Sequence, residues 1–308
     1  MSLATATAQR TVAATLTGRS RDRNVKSMVF LVALWFSLFF GIVVLLALII
    51  DTVITGAPRF DMNLITNYES RLYPEETGFR AGILGSIWLM AVTALLAIPL
   101  GIAAAVHLEE FANSRAWYNR VAEINLQNLA AVPAIIYGML AVAIMGLLGY
   151  TQKGIVLGGA IALALLILPV VVITTREAVR AVPDGLREAG FGVGATRWEV
   201  IRHHVLPYAA PGILTGTVLA LARALGEAAP LILVGAASGF LTTGDSYRLG
   251  DLQERFTALP QIIATWAGRP VADWEGVTYA AIAVLLAIVL LANATAILLR
   301  NRYEKKRA

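Results

Sequence analysis

"REAGFGVGATRWEVIRHHVLP", residues 187–207, is charged, glycine-studded and amphipathic, yet it lies between two long apolar runs. Its punctuation says how it folds. Pro183, just ahead of it, suits the first turn of a helix, where a missing N–H is no loss. Val179, Val182, Leu186, Ala189 and Val193 recur at near-helical spacing and share one face. Gly194 can end that helix in a left-handed conformation at little steric cost. Thr196-Arg197-Trp198-Glu199 reads as a capping box that opens a second short helix, with Trp198, Ile201 and Val205 along one side of it. Pro207 is expected to close the unit. The passage therefore predicts two short helices with exposed apolar side chains flanked by arginines. Periodicity leaves two uses open: a helix pair lying on a membrane surface, or a knob seated in a groove of a partner protein.

The flanking runs decide the class. Of 308 residues, 58% are hydrophobic and 15% charged, with a mean hydropathy of +0.71. Soluble domains run near 45–50% apolar and about 25% charged, so this chain lies outside that class. Six runs are long enough for a hydrocarbon core that needs about 20 residues: 28–50, 81–106, 126–150, 154–175, 208–236 and 277–299. The prediction is an all-α membrane protein with six transmembrane helices. The first run is too long for a signal peptide and no A-x-A-like cleavage site follows it, so it reads as an uncleaved span. The Ala/Thr/Arg-rich tail 1–27 is expected to be disordered, and 300–308 is a second short tail.

Basic residues set the orientation. Both tails and the loops 107–125 and 176–207 hold seventeen arginines and lysines, against seven in the remaining loops. The positive-inside bias places both termini and the opening passage in the cytoplasm. The net charge of +5 is accounted for in the same way, as cytoplasmic ends rather than a nucleic-acid surface. On the other side, 51–80 is polar, and 237–276 contains "FTALPQIIATWAGRP", an apolar piece too short to span and broken by Pro260. That piece predicts an interfacial or re-entrant segment. Pro99, Pro133 and Pro169 lie within spans, where neighbours can re-satisfy the freed carbonyls. Gly212 and Gly216 form a small-xxx-small pair that can permit close helix approach.

Several chemistries are excluded. With no cysteine there is no disulfide, thiolate metal site or Cys nucleophile. "GFGVGATRW" lacks a Gly-Lys-Ser/Thr and a preceding strand, so it is no phosphate-binding nucleotide loop; any ATP is hydrolysed by another chain. His203 and His204 are adjacent and point to different helix faces, and His107 stands alone. Nothing assembles a nucleophile–base pair. Arg115, Trp117, Tyr118 and Arg120 read as an interfacial anchor. The sequence predicts a non-catalytic membrane subunit that binds no cofactor or metal.

The opening passage resembles the "EAA" loop of permease subunits of ATP-binding-cassette importers. That pattern runs Glu-Ala-Ala, three residues, Gly, nine residues, then Ile-x-Leu-Pro. Here Glu188-Ala189-Gly190, three residues, Gly194, nine residues and His204-Val205-Leu206-Pro207 keep its register, with Gly190 and His204 as departures. "AIPLGIAAAVHLEEFA" (97–112), "NLAAVPAIIYGMLA" (128–141) and "LPVVVITTREAVRAVPDGLREAG" (168–190) look like the phosphate-specific importer's permeases. "FTALPQIIATWAGRP" (256–270) is similar to a segment of the A-type permease. The resemblance covers roughly 80–300 and implies a MetI-like importer-permease core over 81–299. It also implies that Glu188, Ala189, Gly190, Gly194, Trp198, Leu206 and Pro207 form a coupling loop seated on an ATPase subunit. The partners it implies are a second phosphate permease subunit in a heterodimer, a dimer of ATP-binding subunits that uses the ATP, and an extracytoplasmic phosphate-binding protein facing the 51–80 and 237–276 loops. The setting is the bacterial inner membrane.

Arg223 and Glu227 stand out within the fifth run. A charge at mid-bilayer costs about 2.5–3.5 kcal/mol on insertion scales, so two of them need a partner or water. At i, i+4 they share a helix face and can pair with each other or across to a partner permease, although Arg before Glu is the weaker orientation. The other reading has them line the path: Arg223 offers bidentate, charge-assisted bonds to an oxyanion, and Glu227 keeps that attraction weak enough for release. The Arg-x-x-x-Glu pair resembles the family's functional charged pair, which favours the path. Molybdate, tungstate and sulfate compete with phosphate as solutes, since one arginine does not discriminate among tetrahedral oxyanions. A secondary transporter or channel is the rival from another class, and it leaves the 187–207 knob without a client.

Overall fold

The computed structural model describes residues 25–70, 72–113, 116–150, 154–236, 252–269 and 273–305. The disordered-tail reading for residues 1–24, the anchor residue Arg115 and the outer loop 237–251 lie outside the described residues. The described chain is helical, with one isolated bridge between Ile155 and Arg255. It falls into two units divided after Asp51.

The first unit is most of helix α1, Val25–Gly56. Phe30, Trp35, Phe36, Phe39 and Phe40 are all exposed, as are the aliphatic side chains around them. A helix apolar on every side is at home only in an apolar solvent. Its 32 residues reach about 48 Å, more than one bilayer core.

The second unit holds the remaining helices. They are α2 Met62–Thr66, α3 Arg80–Val106, α4 Trp117–Ala130, α5 Ala134–Leu147, α6 Val156–Arg180, α7 Asp184–Gly192, α8 Arg197–Val200, α9 Leu206–Leu225, α10 Ala229–Val234, α11 Leu259–Ala267 and α12 Asp273–Lys305. Two π-turns extend this set: His107–Phe111 continues α3, and Ile201–Val205 joins α8 to α9. The main core packs Leu89, Val92 and Ala97 of α3 on Ala160, Leu163, Ile167 and Val171 of α6. Small residues let these helices close in. A Cβ on Gly101 would come within 2.6 Å of Val171 Cγ1.

The Gly212/Gly216 pair brings α9 onto α6 in the same way. A Cβ at Gly212 would lie 2.8 Å from Ala178 Cβ, and one at Gly216 would lie 2.3 Å from Thr174 Oγ1 and 2.5 Å from Thr174 Cβ. Gly216→Ala is therefore expected to force α9 off α6 and to lower stability by about 1–3 kcal/mol, read as a fall in the thermal midpoint in detergent.

The structure departs from the predicted spans at three points. The run 126–150 is a bent pair: α4 and α5 meet at 111°. Pro133 caps the start of α5 with φ −54° and ψ 134°; it has no N–H to continue α4 and holds the preceding residue out of the α region. The run 208–236 ends as a helix at Leu225 and resumes at Ala229. Pro230 lacks the N–H that would bond the Gly226 carbonyl, so the helix stops there. Pro260 does not break the third piece. It sits in the first turn of α11, whose Leu259, Ile262 and Trp266 are buried against Trp274, Val277 and Ala280 of α12. The segment expected to be interfacial or re-entrant is a short packed helix, pinned to α3 where the Leu259 N–H donates to Ser86 Oγ at 2.8 Å. Pro99 and Pro169 do lie inside α3 and α6.

Candidate functional site

The module at residues 179–209 is built as its punctuation predicts, up to a point. Pro183 is the N-cap of α7, and Gly194 ends it at φ +82°, where a side chain would be strained. The capping box is complete: Glu199 N–H donates to Thr196 Oγ1 (3.4 Å), and Thr196 N–H donates to Glu199 Oε2 (2.8 Å). Thr196→Ala is expected to lose about 1 kcal/mol from this turn, seen as faster amide exchange over 197–200.

Pro207 does not close the unit. Helix α8 runs through the π-turn Ile201–Val205 straight into α9, giving one stretch from Arg197 to Leu225. The Leu206 N–H reaches back to the Ile201 carbonyl, and this wider turn absorbs the bond that Pro207 cannot make. The module is consequently welded to a helix of 20 residues, about 30 Å long.

Its buried side differs from the predicted faces. Val179, Val182, Val200, Val205, Ala209 and Ile213 form the core, with Leu186 and Leu206 half-buried on it. Ala189 and Glu188 are exposed, Val193 is 84% exposed, and Trp198 points outward at 54% with Phe191 at 48%. Apolar surface on the free side is what a docking knob requires. Gly190, the departure from the EAA pattern, is explained by contact: a Cβ there would meet Val200 Cγ2 at 2.7 Å, so its absence lets α8 lie directly on α7.

A set of long-range ion pairs fastens the module. Glu109 accepts from Arg180 Nε (2.8 Å) and Nη2 (3.0 Å) and from Arg176 Nε (3.2 Å). Arg176 also lies 3.4 Å from Glu123 of α4. Glu110 accepts from Arg187 Nη2 (2.9 Å) and Nε (3.2 Å). Arg187 donates as well to the carbonyls of Val182 (2.7 Å), just beyond α6, and of Val179 (2.9 Å), in its last turn. The sequence reading missed Glu109 and Glu110 as site residues. Their signal was two adjacent carboxylates at the end of an apolar run, opposite an arginine-rich loop.

Arg223 and Glu227 lie at the far end of α9 from this module. Arg223 is in the helix's last turn, Gly226 caps it, and Glu227 falls in the break before α10. The expected shared helix face is therefore lost at Glu227. Arg223 Nε is 4.0 Å from Glu227 Oε1, an ion pair beyond hydrogen-bond length, with the side chains 51% and 27% exposed. The break is buttressed by α5, where Gly138 meets the Pro230 carbonyl at 2.6 Å for a built Cβ. Tyr137, buried beside it, donates its hydroxyl to the Leu129 carbonyl across the α4–α5 bend at 2.5 Å. The two interrupted helices thus meet where the charges are.

Residues 97–305 match the model of the family described as binding-protein-dependent transport system inner membrane component. The chain is 31% identical over 285 residues to the phosphate transport system permease protein PstA of Yersinia pestis, covering 92% of each. It is 36% identical over 221 residues to PstA of Mycobacterium leprae, covering 70% of each. Among solved structures, it resembles a chain of a bacterial ABC transporter involved in the import of alginate, with TM-score 0.61 and 17% identity over 89% of this chain and 97% of that one. An inward-facing MetNI methionine transporter chain gives TM-score 0.57 at 18% identity, covering 73% and 97%. Match, relatives and helix order agree: the chain belongs to the binding-protein-dependent transport system inner membrane component family, an importer-permease fold.

Proposed function

We propose that this chain is a permease subunit of an ATP-driven importer that carries inorganic phosphate across the bacterial inner membrane. One observation carries the reading: a single helix, Arg197–Leu225, joins an exposed apolar knob to a charged break in the chain. Closure of two ATPase subunits on the knob would move α9 as a rigid body, a known class of switching. At its other end, movement would shift Arg223 relative to Glu227 and so alternate the hold on the anion. Arg223 offers the forked donors suited to a phosphate oxygen pair. The PstA relatives at 31–36% identity support phosphate over molybdate, tungstate and sulfate.

The arrangement implies partners of stated kinds. Half-exposed Arg223 cannot face lipid, so a second permease chain or water covers it. The knob takes an ATP-binding subunit, and the side holding 51–80 takes a solute-binding protein. Both termini lie in the cytoplasm by the positive-inside bias. Competition in proteoliposomes tests the solute: phosphate is expected to block labelled phosphate uptake at concentrations where molybdate and sulfate do not. Equal block by all three would contradict phosphate selectivity.

A further inference from the structure

The π-turn His107–Phe111 is gripped on three successive residues by the module that follows it far along the chain. Glu109 holds Arg176 and Arg180, both on α6. Glu110 holds Arg187 on α7. The Phe111 ring lies under Arg197 of α8, 5.4 Å from its guanidinium carbon. A π-turn widens the helix and re-aims consecutive side chains, and such turns concentrate at functional sites. Of these contacts, the Glu110–Arg187 pair is the most enclosed, with side chains 9% and 17% exposed. Water screens it little. Arg187 is also the module's hub. One guanidinium binds Glu110, the carbonyls of Val179 and Val182, and Asp184 of its own helix at 3.1 Å.

We propose that this π-turn is a second transmission strut, with Glu110 and Arg187 as its positioning residues. The inference rests on the reading that an ATPase subunit moves α7 and α8. The covalent route from the knob leads into α6 and α9. The ionic route leads into α3, which shares the main core with α6. With both routes intact, α3 and α9 move together as the knob is displaced. With the Glu110–Arg187 clamp cut, Glu109 and Phe111 are left to tie the π-turn to the knob's side, α3 follows less fully, and hydrolysis runs ahead of transport.

The test is the amount of phosphate imported per ATP hydrolysed by the reconstituted complex. Glu110→Ala is expected to lower this ratio about tenfold, the size of an ordinary coupling between sites. Glu110→Asp should recover most of the ratio. The chain has no cysteine, so Glu110→Cys with Arg187→Cys can be bridged by a bifunctional thiol reagent, which should raise the ratio again. Import and hydrolysis falling in the same proportion in an intact Glu110→Ala complex would overturn the strut, as would a bridged variant with an unrecovered ratio. Should Glu110→Ala fail to assemble, Glu110→Gln decides: a lowered ratio supports the strut and a normal one overturns it. A wild-type complex with no ATP-driven import would overturn both the strut and the transport reading beneath it.

Discussion

Arg223→Ala is expected to cut ATP-driven phosphate uptake by roughly 10–150-fold, with the complex still assembling. Hydrogen bonds to a charged group contribute about 1.5–3 kcal/mol, which converts to that range. Assembly should survive because Arg223 is half exposed at a helix end and its ion pair with Glu227 is a loose 4.0 Å contact. Glu227→Ala should act differently. With the counter-charge gone, Arg223 holds the anion longer, so apparent affinity rises while turnover falls. Initial-rate uptake across a range of external phosphate, with complex yield measured alongside, separates the two effects. Normal uptake by both variants would remove the pair from the path.

The second large effect concerns the knob. Phe191→Glu combined with Trp198→Glu is expected to weaken attachment of the ATP-binding subunit by roughly 1,000-fold. Each large anchor at such a contact is worth at least about 2 kcal/mol, and two together approach 4. Both side chains point away from the module's own core of Val179, Val182, Val200 and Val205, so the permease itself should fold normally. Co-purification of the ATP-binding subunit with the tagged permease checks this. Undiminished recovery would mean that the exposed apolar surface has some other client.

What the sequence revealed was mostly what neighbours along the chain decide. The Thr196–Glu199 capping box and the left-handed Gly194 are settled within a few residues, and both stand as read. The Gly212/Gly216 pair was legible because its spacing alone makes a flat helix face, although only the structure shows Ala178 and Thr174 pressed against it. Prolines were read less well, because their effect depends on register: Pro207 follows a π-turn and is absorbed, whereas Pro230 follows Gly226 and ends a helix. Periodicity put Trp198 on one face with Ile201 and Val205, but only those two are buried and Trp198 turns outward. The Glu110–Arg187 clamp spans 77 residues of sequence, and no local pattern marks which of several arginines takes which carboxylate.

On the proposed function, ATP hydrolysis by a bound subunit drives an anion through this chain. Accumulation of labelled phosphate inside proteoliposomes of the whole complex, with solute-binding protein outside, tests it most directly. Accumulation above the external concentration is expected, requiring ATP on the knob's side and disappearing when residues 187–207 are replaced by a flexible linker. Phosphate entry at the same rate without ATP, or with that loop replaced, would contradict it.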